Sequence, residues 1–264
     1  MANTVFANKV IEAKANDLLT TAVNARNLMT VDTSLTTAAG MIKTINTYTY
    51  TGTAEKLAKG KGNTASNRGK ISHISNDYTT ALAQQAFDYT DEDFMQDPTI
   101  VDNMLKGANQ VMVNTMTADF ITEVAKASLS ATFATALTYE SIVDAIGELN
   151  VEDESGVFVI IPNKWKAALR KDEDYKAARM GEVIYNGQVG TICGIPVIAT
   201  KALTDTAYVM TKEAIKLFMK KDVEVEQDRD ADTRTNSVYL RMVYVVALVD
   251  ATKICKISKA ASAG

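Results

Sequence analysis

The chain has 264 residues, 47% of them apolar and 23% charged, with a formal net charge of −4. That length allows a sizeable core in one large or two small domains, and the mild acidity excludes a global basic field for gripping nucleic acid. The first residues lack the continuous apolar stretch and cleavage site of an export signal. Cys193 and Cys255 match no metal-binding spacing, which fits a reducing compartment and two buried, small apolar side chains.

From Val5 to about Met29 the apolar residues Val10, Ile11, Ala15, Leu18, Leu19, Ala22 and Val23 predict an amphipathic helix. Thr30 to Gly40 is rich in Thr, Ser and Ala and reads as an extended arm or linker. A strand is predicted from Ile45 through the Tyr/Thr alternation that follows, with a companion over Ile71 to Ala83. Between them lies a glycine-rich polar stretch carrying Lys56, Lys59, Lys61, Arg68 and Lys70. So long a polar connection is functional or mobile in most compact proteins, and the whole reads as a projecting hairpin.

The segment Asp88 to Asp97 reverses the charge, with Asp88, Asp91, Glu92 and Asp93 and no basic residue. Part of that charge suits the positive end of a following helix, and the rest is free to attract a basic partner. Asp97 and Pro98 signal the helix start. Ile100, Val101, Met104, Leu105, Ala108, Val111, Met112, Met116, Phe120, Ile121 and Val124 then recur at spacings of three and four, predicting a long helix to about Ser128. Polar residues interrupt it too often for a membrane span.

After Ser128 the units shorten. Thr138 caps a predicted helix with Ile142, Val143, Ile146 and Leu149 on one face. Val157 to Ile161 is an unbroken apolar run between Gly156 and Pro162, as in a buried central strand. One amphipathic helix is predicted from Pro162 to Arg179, with Trp165, Ala168 and Leu169 inward. Gly187, Gly190 and Gly194 punctuate a turn and strand with Pro196 near its edge, and a short strand follows at Ala207 to Met210. The alternation of residues 223–230, the run from Val238 to Val249 and a last segment ending at Ile257 complete a strand-rich end.

No catalytic constellation emerges. His73 is the only histidine and falls in the projecting hairpin, a wet place for oriented proton transfer. Histidine-based metal sites are excluded by count, and an oxygen-ligand site among Asp91, Glu92 and Asp93 is unspecific beside a solvated acidic face. No phosphate-binding glycine motif occurs. The basic hairpin lacks the interleaved aromatics of a base-stacking surface, so a protein contact fits it better than nucleic acid or bare solvent.

The order of these parts resembles the major capsid protein of tailed bacteriophages, which has the Hong Kong ninety-seven fold. The residues that carry the likeness are the hairpin, the acidic lead-in to the long helix, the stretch IIPNKWKAAL, the turn at Gly194, Pro196, Val197 and Ile198, and the closing strands. The resemblance implies an α+β fold with an N-terminal arm (1–45), an extended β-hairpin loop (46–87), a peripheral domain with a spine helix (88–130 and 216–245) and an α/β axial domain (131–215 and 246–264). It implies a non-enzymatic subunit without cofactor or metal, assembling with itself as pentamers and hexamers of an icosahedral shell around double-stranded DNA. A bacterial nanocompartment shell of encapsulin type is the alternative with the same fold, and a metal-dependent enzyme using the acidic cluster is the alternative from another class. Further implied partners are a portal, decoration proteins and packaged DNA held non-specifically, with no membrane; location is the virion capsid, and the host cytoplasm during assembly. Because the predicted arm helix begins close to Met1, scaffolding is expected from a separate protein. Lys56, Lys59, Lys61, Arg68 and Lys70, with Asp88, Asp91, Glu92 and Asp93, are the expected inter-subunit contacts.

Overall fold

The computed structural model describes residues 25–65, 67–178 and 190–260. Most of the helix expected over Val5–Met29 lies outside these residues; Ala25–Leu28 form a single 3-10 turn, with Ala25 and Met29 buried. β1 (Thr30–Asp32) then pairs in parallel with Lys216–Phe218. The stretch to Gly40 is therefore not a free arm, since Leu35 is buried against Ile45, Phe218 and Ala247.

β2 (Ile42–Thr51) and β3 (Lys70–Thr79) form the expected antiparallel hairpin. The companion strand does not continue to Ala83 as expected. Thr80 turns into the body, where its N–H and hydroxyl donate to the Met41 carbonyl at 2.7 and 3.0 Å. The chain then leaves for another sheet as β4 (Ala81–Thr90), which takes up Asp88. Asp88 is thus a strand residue and not part of a helix lead-in.

A short helix, Asp91–Gln96, follows, closed by a capping box in which Thr90 Oγ1 accepts from the Asp93 N–H and Asp93 accepts from the Thr90 N–H. Asp97 ends this helix, so it does not cap the long one as the sequence suggests; its Oδ1 accepts from Thr99 N–H at 2.9 Å and Thr99 Oγ1 at 2.6 Å. The long helix runs from Ile100 to Val124, 25 residues and about 37 Å at ~1.5 Å each. Val101, Leu105, Ala108, Met112, Val113, Met116, Phe120 and Val124 are its buried face. Val111, expected inward, is 46% exposed, because the helical period puts it on the side away from Leu105 and Met112.

β5 (Leu129–Phe133) was not anticipated, since its half-polar sequence, LSATF, is too short to show an alternation. The helix Tyr139–Leu149 starts as expected, with Thr138 Oγ1 accepting from the Ser141 N–H. β6 (Val157–Pro162) is buried at every position. The single helix expected from Pro162 to Arg179 is broken into a 3-10 turn (Asn163–Trp165) and two helices, Lys166–Lys171 and Glu173–Ala178. Asp172 is extended at the break, and its Oδ2 accepts from the Tyr139 N–H at 2.5 Å, a tertiary bond that outweighs helix continuity. β7 (Thr191–Ile192), β8 (Ile195–Thr200), β9 (Thr206–Thr211), β10 (Ile215–Asp230), β11 (Thr235–Leu248) and β12 (Ile254–Lys259) complete the chain. Cys193 and Gly194, at φ 52° and 80°, make the two-residue β7–β8 turn; Gly187 lies outside the described residues.

Besides the two-stranded β2-β3 hairpin, two sheets are found among the described residues, in the orders β1-β10-β11-β4 and β5-β12-β9-β6-β8-β7. The long helix lies in one core with the inner face of the first sheet, which includes Val225, Val238, Leu240, Met242 and Val246, and with one face of the second, which includes Phe158, Ile160, Tyr208 and Met210. The other face of the second sheet, including Val159, Ile161 and Val209, packs with Ile142, Ala145 and Ile146 of the helix Tyr139–Leu149. Covered on both faces, β6 needs an unbroken apolar run, and that is what the sequence has.

Cys255 is buried on β12, and burial, aided by Glu148, pushes its thiol up to about 11; Cys193, also expected to be buried, is exposed at its turn. A disulfide reagent at pH 8 is expected to modify one thiol in the native protein and the second only after denaturation. Two thiols reacting at one rapid rate would show that β12 opens readily.

Candidate functional site

The sequence-predicted contact residues divide into two groups with different surroundings. Lys56, Lys59, Lys61, Arg68 and Lys70 are exposed at the far end of the hairpin. Among the described residues none of the five is in an ion pair, and Glu55, the one acid between β2 and β3, accepts a hydrogen bond from Thr64 Oγ1 at 2.7 Å. Gly52 and Gly69 stand opposite each other where the strands end, and Tyr50 lies over them; a Cβ on Gly69 would come within 1.9 Å of the Tyr50 hydroxyl.

The acidic group is more tightly engaged than its sequence implies. Asp91 accepts from Arg229 Nη2 at 2.8 Å and from Asn236 Nδ2 at 3.0 Å. Arg234 Nη1 is 2.8 Å from Glu92 Oε1. The Thr90 hydroxyl and N–H both donate to Asp93 and hold its carboxyl below the usual carboxylate range. These three carboxylates thus turn to three different partners and do not converge as metal ligands would. Among the described residues no group of three or more His, Cys, Asp or Glu side chains is arranged to hold a metal ion. Asp88 is exposed on β4, without a cation partner among the described residues.

Asp88 belongs to a larger acidic surface that sequence order conceals. Register places Gln84, Arg241 and Glu224 in one row across the outer face of the first sheet, Ala86, Tyr239 and Glu226 in the next, and Asp88, Ser237 and Asp228 beyond. Asp230 follows on the same face. Arg241 pairs with Glu226, and Lys221 pairs with Glu224 at 2.6 Å. The outer end of the sheet carries Asp88 and Asp228, with Asp230 accepting from the Asp232 N–H and the Thr233 hydroxyl of the turn, each at 2.9 Å. The signal in the sequence was the alternation Glu224, Glu226, Asp228, Asp230, since a period of two puts alternate residues on one face.

His73 pairs across the hairpin with Tyr48, their rings stacked at 6.0 Å between centroids. A cleft of about 1020 Å³ lies between the 3-10 turn at Arg26 and the loop at Val151–Gly156. Its charges are mixed and partly spent on ion pairs, Lys253 with Glu213 at 3.2 Å and Arg26 with Asp222 at 3.7 Å. No helix of the described residues is long and apolar enough to cross a membrane.

Comparison with known proteins bears on these surfaces. The sequence pattern of a family described as phage capsid protein matches residues 75–257. The major capsid protein of Staphylococcus phage phiMR11 is 33% identical over 120 residues, and the match spans 44% of each chain, less than half of that curated relative. Among solved structures, the capsid of the cyanophage P-SCSP1u superposes with a TM-score of 0.71 at 12% identity, covering 89% of this chain and 87% of that one. The holo-SrpI encapsulin complex from Synechococcus elongatus PCC 7942 gives 0.65 at 11% identity, covering 88% and 85%. At such identities the structures establish a shared fold and nothing further.

Proposed function

Because the chain belongs to the phage capsid protein family, we propose that it is the major subunit of an icosahedral shell enclosing a double-stranded DNA genome. The observation that carries this reading is the hairpin. Tyr48, Tyr50, Ile71 and Ile74 are 68, 67, 70 and 64% exposed on it, an apolar surface that its own subunit leaves uncovered. A chain that keeps such an element away from its core has a use for it on another molecule, and repeated copies in a closed shell supply that molecule.

In this reading copies associate as pentamers and hexamers. The N-terminal segment acts as an arm and the β2–β3 hairpin as an extended loop; the sheet β1-β10-β11-β4 with the long helix serves as the peripheral domain and the sheet β5-β12-β9-β6-β8-β7 as the axial domain, bounds that differ from those expected from sequence because Ala81–Thr90 pair with β11 and Leu35 is buried. The hairpin cations and the acidic surface beginning at Asp88 meet across subunit boundaries. A separate scaffolding protein, a portal and decoration proteins are the further partners. The mildly acidic subunit touches packaged DNA only non-specifically, catalyses no reaction, and passes from the host cytoplasm to the virion.

Electron microscopy of the purified protein, alone and co-expressed with its phage's scaffolding protein, tests the reading directly. Closed shells of fivefold and sixfold clusters are expected. A compact monomer under every salt condition and with those proteins present would overturn it, and shells packed with a protein cargo would favour a nanocompartment instead.

A further inference from the structure

The hairpin meets its own subunit at its base. Register places Lys43, Ile45 and Tyr78 together on one face there. Ile45 packs with Leu35, Phe218 and Ala247, while Lys43 Nζ lies 4.9 Å over the Phe218 ring and donates to Ser34 Oγ at 3.1 Å. These contacts attach β2. Tyr78 is the corresponding contact of β3, and its Oη donates to the Leu248 carbonyl at the end of β11, at 3.3 Å.

A second element reaches the same ring. Lys126, just past the end of the long helix, sets its ammonium 5.8 Å from the centre of the Tyr78 ring. Its Nζ donates to Glu123 Oε1 at 2.5 Å. Glu123 is buried, and its Oε2 has no hydrogen-bond partner among the described residues. A buried carboxylate that is only half satisfied costs stability, and an apolar side chain would fill the same space without that cost. What the carboxylate does accomplish is to hold a long side chain at a fixed point over the ring. Burial, and after it the Glu123 charge, raises the Tyr78 phenol above its ordinary value, so the phenol stays protonated and keeps its bond to Leu248.

We propose that Glu123 and Lys126 aim the hairpin: the pair fixes the Tyr78 ring against the end of the long helix and so sets the direction in which the hairpin leaves the subunit. Apolar contact at Ile45 attaches the base but is non-directional. A cation over a ring face and a phenol on a carbonyl each accept a narrow range of angles. The lever is long. Lys70 is eight residues from Tyr78, roughly 27 Å at ~3.4 Å per residue, so a tilt of about 10° at the base displaces the end of β3 by about 5 Å. An exposed element aimed in advance loses less freedom when it meets another molecule. Because the device lies within one subunit, it goes beyond the shell-subunit reading and does not depend on it.

The distance between two spin labels, measured on dissociated full-length subunits, tests the aiming. With Cys193→Ser in place and Cys255 left buried, the labels are attached at Ile71→Cys on β3 and Val111→Cys on the long helix, both exposed. One narrow distance peak is expected. Replacing the whole pair, Glu123→Leu with Lys126→Met, should leave the urea midpoint unchanged or raised, with loss of the narrow peak to a broad distribution. Lys126 is half-exposed, so Lys126→Gln leaves the fold intact and should broaden the peak as well. Lys126→Arg, which keeps a cation over the ring, should preserve it. A broad distribution in the wild type overturns the inference, as does a narrow peak shared by the wild type, the Lys126→Gln variant and the paired variant. The apolar contacts at Ile45 would then aim the hairpin alone, and the Glu123–Lys126 pair would only close the helix end. Equal broadening by Lys126→Arg and Lys126→Gln also counts against it, and none of these outcomes touches the shell reading.

Discussion

Phe120→Ala is expected to lower the unfolding free energy of the subunit by about 3–5 kcal/mol, the usual range for deleting a buried phenylalanine ring. Phe120 is 3% exposed and lies in the core that joins the long helix to both sheets, so deleting its ring removes packing against side chains of all three. A loss of that size is a large fraction of the roughly 5–15 kcal/mol that holds a typical domain folded. Val111→Ala, on the outer side of the same helix, removes two methyl groups in water and should change stability by no more than about 0.5 kcal/mol. Urea denaturation of dissociated subunits measures both. Similar midpoints for the two variants would show that the helix does not pack as described.

Reversing Lys59 and Lys61 to Glu is expected to slow assembly at low salt by an order of magnitude or more, with little change in subunit stability. Each exposed pair is worth only about 0.2–1 kcal/mol, yet a shell repeats the contact at every boundary, and complementary charge acts chiefly on encounter rate and register. At 1 M salt, where the screening length is about 3 Å, the difference between variant and wild type should nearly vanish. Compensation is to be sought at Asp88 and Asp228. Asp91→Lys would set a cation against Arg229 and break the bond from Asn236, and Asp93→Lys would destroy the capping box, so both would damage the subunit before they reported on assembly. Asp88→Lys with Asp228→Lys should restore assembly of the Lys59→Glu, Lys61→Glu chain in part. If the fourfold variant assembles no faster than either double variant at low salt, the two surfaces do not meet, and the hairpin cations serve solubility.

The elements with a strong local period were legible in the sequence. The long helix carries seven turns of apolar recurrence, β6 is apolar at every position because it is covered on both faces, and the Thr138 cap is a bond between neighbours in the chain. The hairpin announced itself by alternating Tyr and Thr around a polar, glycine-rich connection. Each of these rests on interactions whose range is a few residues, or on burial so complete that it leaves a pattern.

What failed was decided by atoms distant in the chain. Asp172 interrupts an otherwise helical run because the Tyr139 N–H, 33 residues away, binds its carboxylate. β3 ends at Thr79 because Thr80 turns back to Met41, and the residues beyond it become a sheet strand because β11 offers them a partner. The charge pattern divides in the same way. Composition along the chain located a basic loop and an acidic segment, since the count of charges is a property of sequence alone. Which carboxylates remain free was settled by Arg229 and Arg234, which the β10–β11 turn brings to Asp91 and Glu92, and by the strand register that sets Asp88 beside Asp228 across Ser237. A single sequence determines what each segment prefers, but the partner that satisfies a charge or a strand edge comes from the far side of the fold, and only the tertiary structure supplies it.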